Sequence, residues 1–354
     1  MTPDQRATLL DTIATQRLGC ELAGSPLYAA ILEVVAADVA SDGPLGRLLA
    51  PVADAPFGDA VLLRLLGGLH RLVLEGRAPE LARRYPSVAG ADAVAVGGRG
   101  DRLGPVLIST VEDHAARLAA DLRANVQTNE VGRSASLLGG YLEVARAGLP
   151  LRVLEVGASA GLNLRFDRYR YLDGPHAFGP ADSPLRFVGP WAGAAPDLDV
   201  ALEVVERAGC DVAPIDPADP AGALRLRSFV WADQLDRLAR LDAALEVATT
   251  TPAPVTCSGA ADWLDAVLAE PTPGRATVVS HSIVLQYLSP DERRRLLDRL
   301  DAAGDAASPE APLAWLRLEP GGDQAELRLT TWPGGATRVL ATSAYHGPPV
   351  VWRS

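Results

Sequence analysis

The spacing of apolar residues changes near the middle of the chain. Up to about residue 126, apolar positions recur every three to four residues, which predicts amphipathic helices joined by loops rich in proline and glycine. Beyond residue 150, short apolar runs alternate with segments of helical period, an order that predicts a mostly parallel sheet. The pattern therefore predicts an α/β protein with a helical N-terminal or cap domain over residues 1–126 and an α/β domain over residues 127–354.

The elements of the second domain follow one another in a regular order. A polar helix start at Thr128 or Asn129 precedes the apolar run Leu151–Val156, which predicts a buried parallel strand. Later strands are expected at VVERAGCD, PVTC, ATVVSHSIVLQYLS and PLAWLRLEP, followed by a terminal hairpin in AELRLTTW and ATRVLATSAYHG. An insertion at about residues 165–200 holds six of the eighteen aromatic residues, and it forms either a wall of an acceptor pocket or only its own small core.

The turn after the first strand predicts a cofactor site. Gly157, Ser159 and Gly161 alternate with alanines, and a helix start is expected from Leu162. A strand, a turn of small residues and a helix N-terminus let a ligand approach bare backbone N–H groups, as in the cofactor corner of a doubly wound domain. The alternative is a glycine-containing turn in a Rossmann-like domain with an empty pocket.

The residue types in this turn favour one cofactor class. A dinucleotide fingerprint has glycine where Ser159 stands and an acidic strand end about 20 residues later, which this sequence lacks. The chain has no lysine to grip a phosphate. The pattern E-x-G-x-S-x-G resembles the first motif of S-adenosylmethionine-dependent methyltransferases, and that cofactor carries no phosphate. The resemblance implies a sheet that ends in an antiparallel hairpin, with the last strand inserted between others.

The candidate cofactor-binding residues come from four places in the sequence. Five lie in the turn or directly beside it, and two lie at the start of the preceding predicted helix. Two acids near the end of the next predicted strand are candidates to bind the ribose, and one acid at the start of a later helix is a candidate to bind the adenine side. They are Glu155, Gly157, Ser159, Gly161, Asn163, Asn129, Arg133, Asp211, Asp216 and Asp262. For the helix start, the alternative is a well-capped surface helix.

Three residues are candidates for catalysis. His281 lies where a predicted strand opens toward the crevice, and histidine titrates near neutral pH, so His281 is the first candidate for a general base. His346 on the terminal loop is the second, and Glu130 can hold an amine or hydroxyl of the substrate. The alternatives are a histidine that satisfies a buried backbone group at 281 and a turn residue at 346.

Composition narrows the classes of partner. The net charge of −11 argues against nucleic acid as a partner, because a phosphate backbone needs a basic face. The three cysteines are far apart and the five histidines lack metal-ligand spacing, so we expect neither a disulfide framework nor a metal site. No signal sequence or membrane-spanning run is evident, so we expect a cytoplasmic protein with no membrane partner.

Several motifs together resemble a known bacterial family. The segments QTNEVGR, LEVGASAGLNL, GCDVAPIDP, SFVWADQ, VVSHSIVLQYL and YHGPPVVW are similar to the domain-of-unknown-function family number 2332, over nearly the whole chain. The resemblance implies a methyltransferase-like sheet with an N-terminal helical extension and assigns no reaction. Compared with the broader methyltransferase pattern, this sequence differs at Ser159 and in the long gap before Asp211.

Two functions from different classes follow from these observations. The first is an S-adenosylmethionine-dependent methyltransferase that acts on an oxygen or nitrogen of a small-molecule substrate. The alternative is a nucleotide- or small-molecule-binding protein that keeps the fold without turnover. The sequence leaves the acceptor and the oligomeric state open.

Overall fold

The computed structural model describes residues 1–96 and 102–353 of the chain. It divides into two compact units. The first comprises Met1–Thr128 together with Pro220–Ala239, and the second comprises Asn129–Asp219 together with Arg240–Ser354. The first boundary lies close to residue 126, but the segment 220–239 differs from the sequence-based division, which assigned it to the second domain.

The first unit is built from helices around one apolar core. Proline in the first turn starts most of its helices, where a missing N–H costs nothing, and Thr2 and Gln5 form a capping box on the first. Its helices are α1 (Pro3–Leu22), α2 (Pro26–Ala40), α3 (Pro44–Leu49), α4 (Val61–Leu74), α5 (Pro79–Ala82), α6 (Pro86–Ala89), α7 (Leu103–Asp121) and α9 (Pro220–Phe229). Short 3-10 turns lie at Ala50–Val52, Phe57–Asp59 and Gly90–Asp92.

The segment 220–239 packs within the first unit. Phe229 lies against Gly67 of α4 so closely that a methyl group at position 67 would be 2.8 Å from the ring. Asp233 accepts hydrogen bonds from the hydroxyl of Ser25 (2.7 Å) and the amide of Leu27 (3.1 Å). Asp233 therefore caps the start of α2.

The second unit contains one eight-stranded sheet with the order β11-β10-β9-β8-β7-β1-β5-β6. Its strands are β1 (Leu151–Val156), β5 (Val204–Asp211), β6 (Val255–Cys257), β7 (Ala276–Ser282), β8 (Leu313–Pro320), β9 (Ala325–Trp332), β10 (Ala336–Ala344) and β11 (Gly347–Trp352). Five neighbouring strands pair in parallel, in the spatial order β8-β7-β1-β5-β6. The strands β8, β9, β10 and β11 form an antiparallel meander. The predicted α/β architecture with a mostly parallel central sheet is confirmed.

Helices and a small sheet complete the second unit. Its helices are α8 (Arg133–Ala145), α10 (Leu235–Ala248, which begins in segment 220–239), α11 (Ala260–Val267) and α12 (Pro290–Asp305). The aromatic insertion forms a second sheet of β2 (Arg170–Asp173), β3 (His176–Phe178) and β4 (Arg186–Val188), with the order β3-β2-β4. Tyr171 stacks on Phe187 there with ring centroids 5.0 Å apart. The insertion therefore has an aromatic core of its own.

Three local predictions are wrong. Helix α8 begins at Arg133 and not at Thr128 or Asn129. No α-helix follows the glycine turn; a 3-10 segment, Asn163–Arg168, takes its place. The predicted antiparallel hairpin is present, because β9 pairs with β10, but the last strand is not inserted between others: β11 lies at the edge of the sheet beside β10.

Candidate functional site

The candidate site lies at the carboxyl ends of the central strands. β1 pairs with β5 on one side and β7 on the other, so the strand order reverses beside β1. In open α/β sheets this reversal leaves a crevice at the carboxyl ends of the strands, where ligands bind. The register places Glu155 of β1 between Gly209 of β5 and Ser280 of β7.

The turn after β1 has an unusual backbone. Gly157, Ser159 and Gly161 all have positive φ, at 68°, 52° and 66°. Serine rarely adopts this left-handed conformation, and the carboxylate of Asp211 holds it by accepting the Ser159 amide at 3.0 Å. Asn129 accepts the amide of Leu162 at 2.8 Å. The sequence-predicted Asn129, Ser159 and Asp211 therefore meet at this turn.

The glycine at position 157 also has a packing role. A methyl group there would lie 2.5 Å from Cγ2 of Val284, which comes just after β7. Val284 is held over the turn because Ile283 adopts a φ of 55°, a strained value for a β-branched residue. Gly157 is thus required by the close approach of Val284 as well as by its own backbone.

Glu155 is the most unusual titratable group of the site. Its side chain is buried, with the residue 3% exposed, and Oε2 has no hydrogen-bond partner among the residues that the structure describes. Burial, followed by the charge of Asp211, raises the pKa of Glu155 from 4.5 to about 8. A buried polar atom without a partner is costly and requires an explanation, such as a ligand that is bound there.

Residues 129–134, which we call the strap, join the glycine turn to two other strand ends. Arg133 donates to the carbonyls of Ser282 (3.2 Å) and Tyr345 (3.0 Å). Ser134 donates to Oδ1 of Asn163 at 2.7 Å, and that side chain's Nδ2 in turn donates to the carbonyl of Glu130 at 3.4 Å. The strap therefore connects residues that follow β1 and β10 with the last residue of β7.

His281 has a different environment from the one predicted. Its side chain is fully buried, Nδ1 lies 2.7 Å from Oε1 of Glu319, and the indole N–H of Trp315 donates to Nε2 at 3.0 Å. An indole can only donate, so Nε2 carries the lone pair and Nδ1 carries the proton. Both ring nitrogens are used within the protein, which argues against His281 as the base and favours the alternative of a buried, satisfied histidine.

Sequence reasoning missed Glu319, the residue that orients this histidine. Its Oε1 also accepts the amide of Val284 at 2.9 Å. Burial alone would raise the pKa of Glu319, but the hydrogen bonds from His281 and from the amides of Val284 and Leu285 outweigh it, so this pKa lies below its usual value. The available signal was an acid directly before the proline that ends the strand LAWLRLEP.

The other predicted residues lie elsewhere or have local partners. Asp262 is exposed and forms an ion pair with Arg295 at 2.5 Å, so the structure gives this carboxylate a surface partner and not an adenine-side role. Asp216 is exposed and accepts the amide of Ala218 within its own turn at 2.9 Å. Glu130 accepts the amide of Gly132 at 3.1 Å, and the carbonyl of His346 lies close to the same glycine. Glu130 therefore lies within the strap, and the backbone of His346 borders it.

Comparison with known proteins identifies the family. A family model described as "uncharacterized protein conserved in bacteria (DUF2332)" matches residues 11–352. The chain belongs to this family. The match includes the glycine turn, the strap and the terminal turn with His346. No curated protein matches the chain.

Two kinds of feature are absent from the described residues 1–96 and 102–353. None of their helices is both long enough and apolar enough to cross a membrane. No group of three or more histidine, cysteine, aspartate or glutamate side chains in those ranges is placed to hold a metal ion.

Proposed function

We propose that this protein is an S-adenosylmethionine-dependent methyltransferase that acts on an oxygen or nitrogen of a small molecule. The observation that carries the proposal is the Glu155 carboxyl. It is buried at the carboxyl end of β1, beside the glycine turn, with one oxygen that has no protein partner among the described residues.

The charge of the site favours this cofactor over a dinucleotide. Glu155 and Asp211 end neighbouring strands, and the charge of Asp211 contributes to the raised pKa of Glu155. Asp211 and, once it is ionised, Glu155 would repel an anionic pyrophosphate, whereas S-adenosylmethionine carries a sulfonium, an amino group and no phosphate. Oε2 of Glu155 would accept a hydrogen bond from the amino group of the cofactor. Asp211 accepts the amides of Ser159 and Ala213 and has further lone pairs, which would accept hydrogen bonds from the ribose hydroxyls.

The remaining site residues would position the acceptor. When bound, S-adenosylmethionine supplies an electrophilic methyl group, and aligning an acceptor with that group lowers the barrier. Arg133 and Asn129 hold the strap against the glycine turn and the end of β7. Because both nitrogens of His281 are engaged, Glu130 and His346 beside Gly132 are the remaining candidates to remove the acceptor's proton.

A specific observation supports a second candidate, a small-molecule-binding protein without turnover. The glycine turn continues into a 3-10 segment and lacks the α-helix whose N–H groups would face a ligand. Val284 also packs directly on Gly157. Both features reduce the backbone that a cofactor could contact, so binding and turnover must be tested separately.

The first experiment is calorimetric titration with S-adenosylmethionine and S-adenosylhomocysteine. We expect saturable binding by the wild type, because a cationic ligand favours the ionised form of the Glu155 carboxyl. Binding should be weakened roughly tenfold or more in Glu155→Gln, because the amide cannot ionise to accept the charge-assisted hydrogen bond. Glu203→Gln, at an exposed glutamate, removes the same charge and should bind as the wild type does.

The outcomes separate the candidates. If the wild type binds neither compound, the methyltransferase proposal is wrong. If both glutamine variants bind equally well, Glu155 does not hold the cofactor. If binding is normal but labelled methyl groups never reach any small molecule of a bacterial extract, the binding protein is favoured.

A further inference from the structure

The first unit contains a groove that the proposed methyltransferase function does not use. The groove has a volume of about 630 Å³ and lies between α7 on one side and the connection from α4 into α5 on the other. This volume falls within the roughly 300–1,000 Å³ typical of small-molecule sites. Its basic lining residues are Arg77, Arg83, Arg84, Arg102 and His114.

One face of α7 forms the wall of this groove. The lining residues Arg102, Val106, Ser109 and Asp113 recur at helical spacing and so share a face. The fully buried apolar residues of α7 lie on another face and belong to the core of the unit. They are Leu103, Leu107, Val111 and Leu118. On the groove face, Val106 also packs against that core, whereas Arg102, Ser109 and Asp113 are not part of it.

The lining of the groove is unusually basic for so acidic a chain. Among the residues that the structure describes, four arginines and two acids, Glu80 and Asp113, line the groove, although the whole chain carries a net charge of −11. Arg83 and Glu80 are both exposed and lie 3.9 Å apart, at the outer limit for an ion pair. Such an exposed pair contributes little and leaves the guanidinium available to another anion.

The acid next to the groove is shared among several arginines. Glu75 lies 3.1 Å from Arg77, and it also pairs with Arg71 at 3.1 Å and with Arg117 at 2.7 Å. Arg71 pairs in addition with Asp121 at 3.6 Å, so two carboxylates face three guanidinium groups. Within residues 1–96 and 102–353, the positive charge beside the groove is therefore only partly compensated.

A departure from helical geometry fixes the two walls relative to each other. At His114 the backbone of α7 leaves the helical region, with φ −123° and ψ 19°. The ring nitrogen Nε2 lies 3.1 Å from the carbonyl oxygen of Arg77. Because a carbonyl only accepts, Nε2 donates, and this bond ties α7 to the connection between α4 and α5.

We infer that this groove binds a small-molecule anion with at least two negative charges, carried by phosphate or carboxylate groups. Guanidinium groups match both groups through paired hydrogen bonds, and several of them converge on one cavity here. The site lies wholly within the first unit, and its ligand has the opposite charge to the cofactor proposed for the second unit.

Calorimetric titration with pyrophosphate and with citrate tests the inference and separates phosphate from carboxylate ligands. We expect one-to-one binding of at least one probe, weaker at higher salt. The double variant Arg83→Gln/Arg102→Gln changes two exposed residues and should weaken this binding roughly tenfold or more. The double variant Arg293→Gln/Arg294→Gln removes the same charge from exposed positions of α12 and should leave binding unchanged.

Thermal unfolding of both double variants verifies that each is folded before it is titrated. The inference is overturned if neither probe binds the wild-type protein at low salt. It is also overturned if the α7 variant and the α12 variant lose affinity equally, since the anion would then respond to net charge alone.

Discussion

At the scale of single residues, the buried carboxyl of Glu155 predicts a pH dependence of stability. Because the pKa of Glu155 rises from 4.5 in the unfolded chain to about 8 in the folded protein, the folded state binds the proton more tightly. The stabilising effect is complete below pH 4.5 and is lost as the pH rises through 8. Glu155→Gln mimics the protonated form, and since the amide does not titrate, this contribution to the pH dependence of stability is absent from the variant.

We therefore expect Glu155→Gln to gain stability relative to the wild type as the pH rises from 5 to 8, by on the order of 3 kcal/mol, with no further gain above pH 9. Denaturant unfolding of both proteins across this range measures the difference. A constant difference, or one that shrinks with rising pH, would mean that Glu155 is already ionised in the folded protein.

Individual site residues were predictable where their signal is local in sequence. Ser159 and Asp211 meet as expected because one lies in the turn and the other ends the neighbouring strand. The partners of His281 are 34 and 38 positions away, and they meet it only through the pairing of β7 with β8. Nothing near His281 in the sequence distinguishes a satisfied buried histidine from a catalytic one.

At the scale of elements, the space around two helical glycines predicts opposite effects of alanine substitution on stability. A methyl group at Gly140 of α8 would lie 2.2 Å from Cδ1 of Leu316 on β8, so Gly140→Ala should destabilise the protein by about 1–3 kcal/mol. Gly19 of α1 is exposed, and the nearest side-chain atom to a methyl group there would be Nε2 of Gln16, at 4.0 Å. Gly19→Ala should therefore stabilise α1 by up to about 1 kcal/mol.

Thermal and denaturant unfolding of the two alanine variants measures both changes. A stabilising effect of Gly140→Ala would show that α8 can move away from β8 at little cost. A destabilising effect of Gly19→Ala would show that helix propensity does not decide the outcome at that position.

Most strands were predictable from composition, whereas some helix ends were not. β1 and β7 are apolar runs buried on both faces, the pattern expected in a parallel sheet. The start of α8 is delayed to Arg133 because Asn129, a good capping residue, instead binds the amide of Leu162. The strand β11 was missed because its two prolines are typical of loops, although an edge strand tolerates them.

At the scale of the whole molecule, the first unit is discontinuous in sequence, and periodicity cannot reveal this. The segment 220–239 supplies Asp233 to the start of α2, a contact that spans 208 positions. Trp231 stacks on Tyr28 with ring centroids 5.8 Å apart. The hydrophobic pattern marks both segments as helical, and only their long-range contacts assign them to one unit.

This organisation predicts that residues 1–128 do not form a stable unit alone. Without segment 220–239, the fragment loses the ring of Phe229 on Gly67 and the cap on α2, a cap contribution of about 1 kcal/mol by itself. Adding residues 220–239 through a flexible Gly/Ser linker of about 20 residues should restore cooperative thermal unfolding measured by circular dichroism. The same fusion with Asp233→Ala should unfold at a lower temperature than the unmodified fusion. Equal melting of the bare fragment and the fusion would contradict the assignment, because it would show that the helices of residues 1–128 bury a sufficient core without Phe229 and Trp231.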